Sequence, residues 1–225
     1  MKIIVVGDSY TYGQGCSDRV DNYDLVTAAP SASCWASLLQ KQYPSLTVRN
    51  YSQPGADNPK IIRFLHKNLE QDVDLVIFCS TFISRIPVRC PGNDNDLSLT
   101  ISPHWSELEH EPGFNHSVMQ YFKHLYSDLV GYNLMTNCLM AAYGFSKLVN
   151  ADFRWTHPMC NFMPGPNNQI FEQMAPYKIK SSADLNYKYS EFASCMHPND
   201  AGHARYFEEV IAPMIELFLK DRNGN

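Results

Sequence analysis

Apolar residues run without a break from Ile3 to Val6 and stop at Gly7. A β-branched run of that length predicts a strand covered on both faces, the kind found inside parallel sheets. The period then changes. Across Ser33 to Tyr43, residues Trp35, Leu38 and Leu39 share one helical face, Ser31 or Ser33 is available as a cap, and Pro44 marks the end. Leu46 to Tyr51 reads as a second strand, Asn58 to Leu69 as a helix with Ile61, Ile62 and Leu65 inward, and Val73 to Cys79 as a third strand. Strand, helix, strand, helix, strand is the opening of a doubly wound α/β fold.

The second half is less regular. Residues 85 to 113 hold four Pro and two Gly among many Asp, Asn and Ser, which predicts an irregular insertion at the end of the third strand. From Phe114 to Leu148, Met119, Phe122, Leu125, Leu129, Leu134, Leu139 and Met140 recur near a 3.6-residue period, so one broken helix or two consecutive helices are expected. Phe153 to Thr156 reads as a fourth strand, followed by a long loop over about 157–199. Asp200 to Lys220 has the clearest helical pattern, with Asn199 or Asp200 as cap, Glu208 and Glu209 outward, and Phe207, Val210, Ile211, Met214 and Leu217 inward. Pro213 is expected to bend it.

Composition narrows this picture. The 225 residues are 44% hydrophobic and 18% charged, enough for one sizeable core, so one domain over residues 1–225 is expected. A net charge of −5 with no basic run gives no reason to expect nucleic acid. Seven cysteines, odd in number and without CxxC pairs, point to reduced thiols rather than a disulfide framework or zinc site. The apolar run behind Lys2 is too short for a signal-peptide core, and no segment reaches membrane-spanning length. A cytoplasmic location is the resulting expectation.

The candidate chemistry sits at the ends of these elements. Ser9, in Gly7-Asp8-Ser9-Tyr10, follows the first strand directly, where open α/β sheets carry their functional crevice. Alone, such a serine is more often a turn residue bonding its own backbone. His197, in His197-Pro198-Asn199-Asp200, stands just ahead of the last helix, and a neutral imidazole is the usual base for a hydroxyl nucleophile. Gly55, after the second strand, permits a close backbone approach and could offer its N–H beside that of Ser9 to an oxyanion.

Gly7-Asp8-Ser9, Gly55 and His197-Pro198-Asn199 together resemble the SGNH (GDSL-like) hydrolases in kind, order and position relative to the strands, from residue 2 to about 215. The resemblance implies a three-layer, doubly wound (flavodoxin-like) parallel sheet with helices on both faces. It also implies hydrolysis of carboxylic esters through an acyl-enzyme, with Ser9 as nucleophile and His197 as base, and no metal or organic cofactor. The expected substrate is a small-molecule, carbohydrate or lipid ester.

Two departures stand out. The family's Gly-x-Asn-Asp after the third strand is replaced by Ser80-Thr81-Phe82-Ile83-Ser84-Arg85, which leaves Thr81 or Ser84 as a hydroxyl donor to the oxyanion. Three residues before His197, where the family has Asp, stands Ser194, so a Ser-His dyad is expected, with Ser194 or a nearby carbonyl orienting the ring. Asp184 and Glu191 are alternative orienting groups. Arg85 reads as a solvated or salt-bridged residue at a strand end, with contact to an anionic substrate group as the alternative, and His203 as a surface or packing residue and fallback base.

His104, His110 and His116 recur at a spacing that matches no metal motif, and His157-x-x-Cys160 has no second pair. The aromatics Trp105, Phe114, Tyr121, Phe122 and Tyr126 suit an apolar lid, a carbohydrate-stacking wall or helix core. Besides an esterase, the sequence admits a catalytically weak or inactive binding protein of the same fold. A nucleotide-binding Rossmann domain fits poorly, since Gly7, Gly13 and Gly15 miss GxGxxG.

Overall fold

The computed structural model describes residues 1–19, 29–89, 98–101, 112–157 and 169–224. Four parallel strands form the central sheet: β1 (Lys2–Val6), β2 (Thr47–Asn50), β3 (Leu75–Cys79) and β6 (Asp152–Thr156), in the order β2-β1-β3-β6. The chain winds outward from β1 in both directions, so the strand order reverses between β1 and β3, where doubly wound sheets open a crevice.

The unbroken apolar runs explain the three layers, because alternate side chains of one strand enter two different cores. Ile3 and Val5 pack with Leu75 and Ile77 against Trp35 and Leu39 of α2 (Trp35–Gln42) and against the C-terminal helices. Ile4 and Val6 pack with Val76 and Phe78 against Ile61 and Leu65 of α3 (Asn58–Asn68), and against Met135 and Leu139 of the long helix α5 (Asp128–Leu148).

Several sequence expectations change in detail. The loop after β1 contains a one-turn helix, α1 (Ser9–Tyr12), capped by Asp8, whose Oδ1 accepts from Tyr10 N–H at 3.0 Å. Neither Ser31 nor Ser33 caps α2, because the N-cap position falls to Cys34, which makes no side-chain cap bond. Part of the expected irregular insertion is an antiparallel hairpin, β4 (Ile86–Arg89) with β5 (Ser98–Ile101). Phe114 to Leu148 divides into α4 (Pro112–His124) and α5, since Ser127 accepts from Val130 N–H and starts a new helix. Met119, Leu125, Leu129 and Met140 are exposed, and Met135, Cys138 and Ala142 are buried instead. The interrupted helix does not keep one phase across the break.

In the expected long loop, α6 (Gln169–Met174) and three short 3₁₀ turns precede the C-terminal helices. These are α7 (Asp200–Tyr206) and α8 (Ala212–Asn223), joined by a wide π turn over Phe207–Ile211, in which Ala212 N–H reaches back to Phe207 O. This turn takes up Pro213, which has no N–H and would crowd the preceding turn. It also adds a residue's rotation, so Ile215 and Phe218 occupy the core while Leu217 is exposed.

Candidate active site

β1, β2 and β3 each end at one side of the sheet, and a candidate residue follows each. Ser9 opens α1 after β1. After β2, the turn Gln53-Pro54-Gly55-Ala56 is closed by Ala56 N–H to Gln53 O at 3.2 Å, with Gly55 at φ 70°. That is the Pro-then-Gly arrangement of a type II turn, which demands positive φ at the glycine. After β3, Asn58 of α3 clasps the Thr81 backbone, accepting from its N–H at 2.9 Å and donating to its carbonyl at 3.3 Å.

His197 arrives from the far end of the chain. Its approach depends on Gly15, where an added Cβ would lie 2.7 Å from the His197 carbonyl oxygen. Close by, Ser17 donates to Asp200 through N–H at 3.1 Å and Oγ at 2.6 Å. Asn199, not Asp200, is the helix cap, accepting from Gly202 N–H at 3.1 Å. Asp200 is spent on joining the two ends of the chain.

Ser9 Oγ and His197 Nε2 stand 2.9 Å apart. His197 Nδ1 lies 3.0 Å from the Cys195 carbonyl oxygen. A carbonyl can only accept, so the proton belongs on Nδ1 and Nε2 is left free to accept from Ser9. The left-handed φ of 60° at Met196 belongs to the turn that bends the Cys195 carbonyl back to the ring. Burial lowers the His197 pKa from 6.5, with Arg85 acting in the same sense and Asp8 and the Cys195 carbonyl against it. The imidazole is therefore neutral at pH 7.

Two backbone N–H groups follow β1 and β2 at the same side of the sheet. Neither Ser9 N–H nor Gly55 N–H bonds another described residue. Thr81 is turned elsewhere: it is fully buried, and its hydroxyl donates to Asp8 Oδ2 at 2.6 Å. A hydroxyl has one hydrogen, so Thr81 has none left for an oxyanion. Ser194 is exposed, and the orienting contact belongs to the Cys195 carbonyl. Asp184 accepts from Ser181 N–H and Glu191 pairs with Arg205, so the His197 Nδ1 contact belongs to neither.

Other histidines take different places. His203, the fallback base, is buried on α7, where Nδ1 accepts from Trp35 N–H at 3.3 Å, one of the orphan donors at the start of α2. Burial pushes its pKa down to about 4. With His157, Asp8 and Tyr206 it lines a small cavity of about 30 Å³. His104, His110, Cys160 and Trp105 lie outside the described residues. Tyr121, Phe122 and Tyr126 pack with Val118 around Ile86 of β4, as a satellite core.

Sequence reasoning missed two contacts around the pair. Tyr10 brings its ring centroid to 5.1 Å from the His197 ring and 5.9 Å from Phe82. Arg85 is salt-bridged as expected, but its partner is Asp8, beside the candidate nucleophile, with Nη1 2.9 Å from Oδ2. Asp8 is buried, and breaking such a pair from one side typically costs about 3–5 kcal/mol. No spacing in the sequence signals a contact across 77 residues.

No family model matches the chain, and no curated protein does. Solved structures do match in fold. The psychrotrophic esterase EstA from Pseudoalteromonas sp., in a structure inhibited by monoethylphosphonate, is 16% identical over 97% of this chain and 98% of that one, with a TM-score of 0.58. The acetyl xylan esterase AlAXEase is 13% identical over 92% and 96%, with a TM-score of 0.51. A family two carbohydrate esterase from Clostridium thermocellum, in complex with cellohexaose, is 10% identical over 99% of this chain and 64% of that one, with a TM-score of 0.50. At such identities the likeness is one of architecture: the chain has the three-layer α/β fold of the SGNH hydrolases.

Proposed function

We propose that this chain is a single-domain, serine-dependent hydrolase of carboxylic esters. The observation that carries the reading is the 2.9 Å contact between Ser9 Oγ and His197 Nε2, on a ring whose other nitrogen faces a carbonyl. His197 takes the Ser9 proton as Ser9 Oγ attacks the ester carbonyl, and the N–H groups of Ser9 and Gly55 hold the oxyanion. His197 then protonates the leaving alcohol, and water, activated by the same base, releases the acid. Esterase activity among proteins of this fold, two of them acting on carbohydrates by name, supports a small-molecule, carbohydrate or lipid ester as substrate.

No helix among the described residues is long and apolar enough to cross a membrane. Cys16, Cys34, Cys79, Cys138 and Cys195 are free, which favours a reducing, cytoplasmic setting.

A catalytically weak or inactive binding protein of the same fold is the second reading, favoured by one observation: the Cys195 carbonyl orients the ring but carries no full charge to stabilise the imidazolium. Fluorophosphonate labelling with turnover of p-nitrophenyl acetate separates the two. Labelling at Ser9 and a fall of about 10⁴-fold or more in kcat for Ser9→Ala are expected. Absence of labelling, with activity unchanged in Ser9→Ala, overturns the hydrolase reading.

A further inference from the structure

The exchange of a proton between Ser9 and His197 does not require an arginine, yet one is built into the same site. Arg85 follows the turn after β3, where its N–H donates to Phe82 O at 3.1 Å and its guanidinium lies 5.2 Å from the Phe82 ring centroid. Nη1 serves three oxygens: Asp8 Oδ2 at 2.9 Å, Thr81 Oγ1 at 2.8 Å and Ala56 O at 3.4 Å. Two of these anchors are chain neighbours of the oxyanion donors, since Asp8 precedes Ser9 and Ala56 follows Gly55.

Among the described residues the other half of the fork is uncommitted. Nε and Nη2 bond no other described residue, and the side chain keeps 17% of its surface accessible. At Gly55, a Cβ would meet nothing within 4 Å, so the edge bounded by Gly55 is open. Asp8 is also held by Thr81 Oγ1 and Tyr10 N–H, so neutralising its charge takes up one end of a five-donor group.

We propose that Arg85 is a third donor to the oxyanion, through the Nε/Nη2 edge, when an ester is bound at Ser9. The inference rests on the serine-hydrolase reading above. As Ser9 Oγ bonds to the carbonyl carbon, its proton passes to His197 Nε2 and the C=O π pair moves onto oxygen. Collapse re-forms C=O, breaks the bond to the alkoxide and returns the proton to it. A guanidinium keeps its charge throughout, so it favours the intermediate over the neutral ester. Asp8 and Thr81 are then positioning residues that hold the fork.

Turnover of p-nitrophenyl acetate, fluorophosphonate labelling rates and melting temperatures are compared for the wild type, Arg85→Lys and the double variant Asp8→Asn/Arg85→Gln. The double variant removes both charges, so no unpaired carboxylate is left behind. Expected is a fall in kcat of about 10²–10³-fold with KM nearly unchanged, and a matching slowing of labelling. Arg85→Lys keeps the ion pair and loses the free edge, so the same direction is expected in a variant that folds even if the double variant does not. Wild-type kcat in either folded variant, or a rise in KM alone, overturns the proposal. An unlabelled Ser9 in the wild type sinks the hydrolase reading itself, whereas normal labelling that is insensitive to Arg85 sinks only this inference.

Discussion

His203 ties acid sensitivity to the placement of the candidate base. It sits on α7, just beyond His197-Pro198, and holds that helix to the start of α2 through Trp35 N–H. Its pKa falls from 6.5 to about 4 because burial disfavours the charged ring, with His197 in the same sense and Asp200 opposing. The folded state therefore keeps His203 neutral where the unfolded chain binds a proton. Stability on this account is complete above pH 6.5 and is lost as pH falls toward 4. At about 1.36 kcal/mol per pH unit, the loss is about 2 kcal/mol at pH 5 and about 3 kcal/mol by pH 4.

His203→Asn keeps an acceptor near the Nδ1 position and removes the titration. Urea denaturation followed by fluorescence at pH 7 and pH 5 gives ΔG of unfolding for both proteins. The variant is less stable at pH 7, having lost ring volume, but the wild type loses about 2 kcal/mol more than the variant on going to pH 5. All other titrating groups are common to both proteins. Parallel losses would refute the reasoning.

Two further outcomes follow from the site. Since burial lowers the His197 pKa, the acid limb of kcat/KM should have its midpoint below 6.5; a pH-rate profile with a midpoint at or above 6.5 contradicts the assigned environment. Thr81→Val deletes the hydroxyl that donates to Asp8 and should lower unfolding free energy by about 1–3 kcal/mol in urea denaturation; an unchanged value contradicts the assigned bond.

Local pattern was sufficient for the fold class. The runs in β1 and β3, the 3.6-residue periods of α2 and α3, and the Pro-Gly turn at Gly55 each depend on residues close in sequence, so their physics is visible there. Where phase had to be carried across an interruption it was lost. The break at Ser127 re-phased α5, and the π turn before Pro213 moved the core from Leu217 to Ile215 and Phe218.

The site divides along the same line. Sequence by itself determined that Ser9, Gly55 and His197 lie at element ends on a sheet whose winding gathers such ends together. What each would touch was decided by tertiary structure. Of the groups offered behind His197, Ser194 or a nearby carbonyl, it is the Cys195 carbonyl that meets Nδ1, a backbone group that every residue possesses and no side-chain pattern singles out. Thr81 carries the right chemistry for an oxyanion donor, but Asp8 takes its only hydrogen. Arg85 reaches Asp8 only because β1 and β3 are neighbours in the sheet, and a hydrogen bond acts over about 3 Å of space, however many residues of chain lie between its partners.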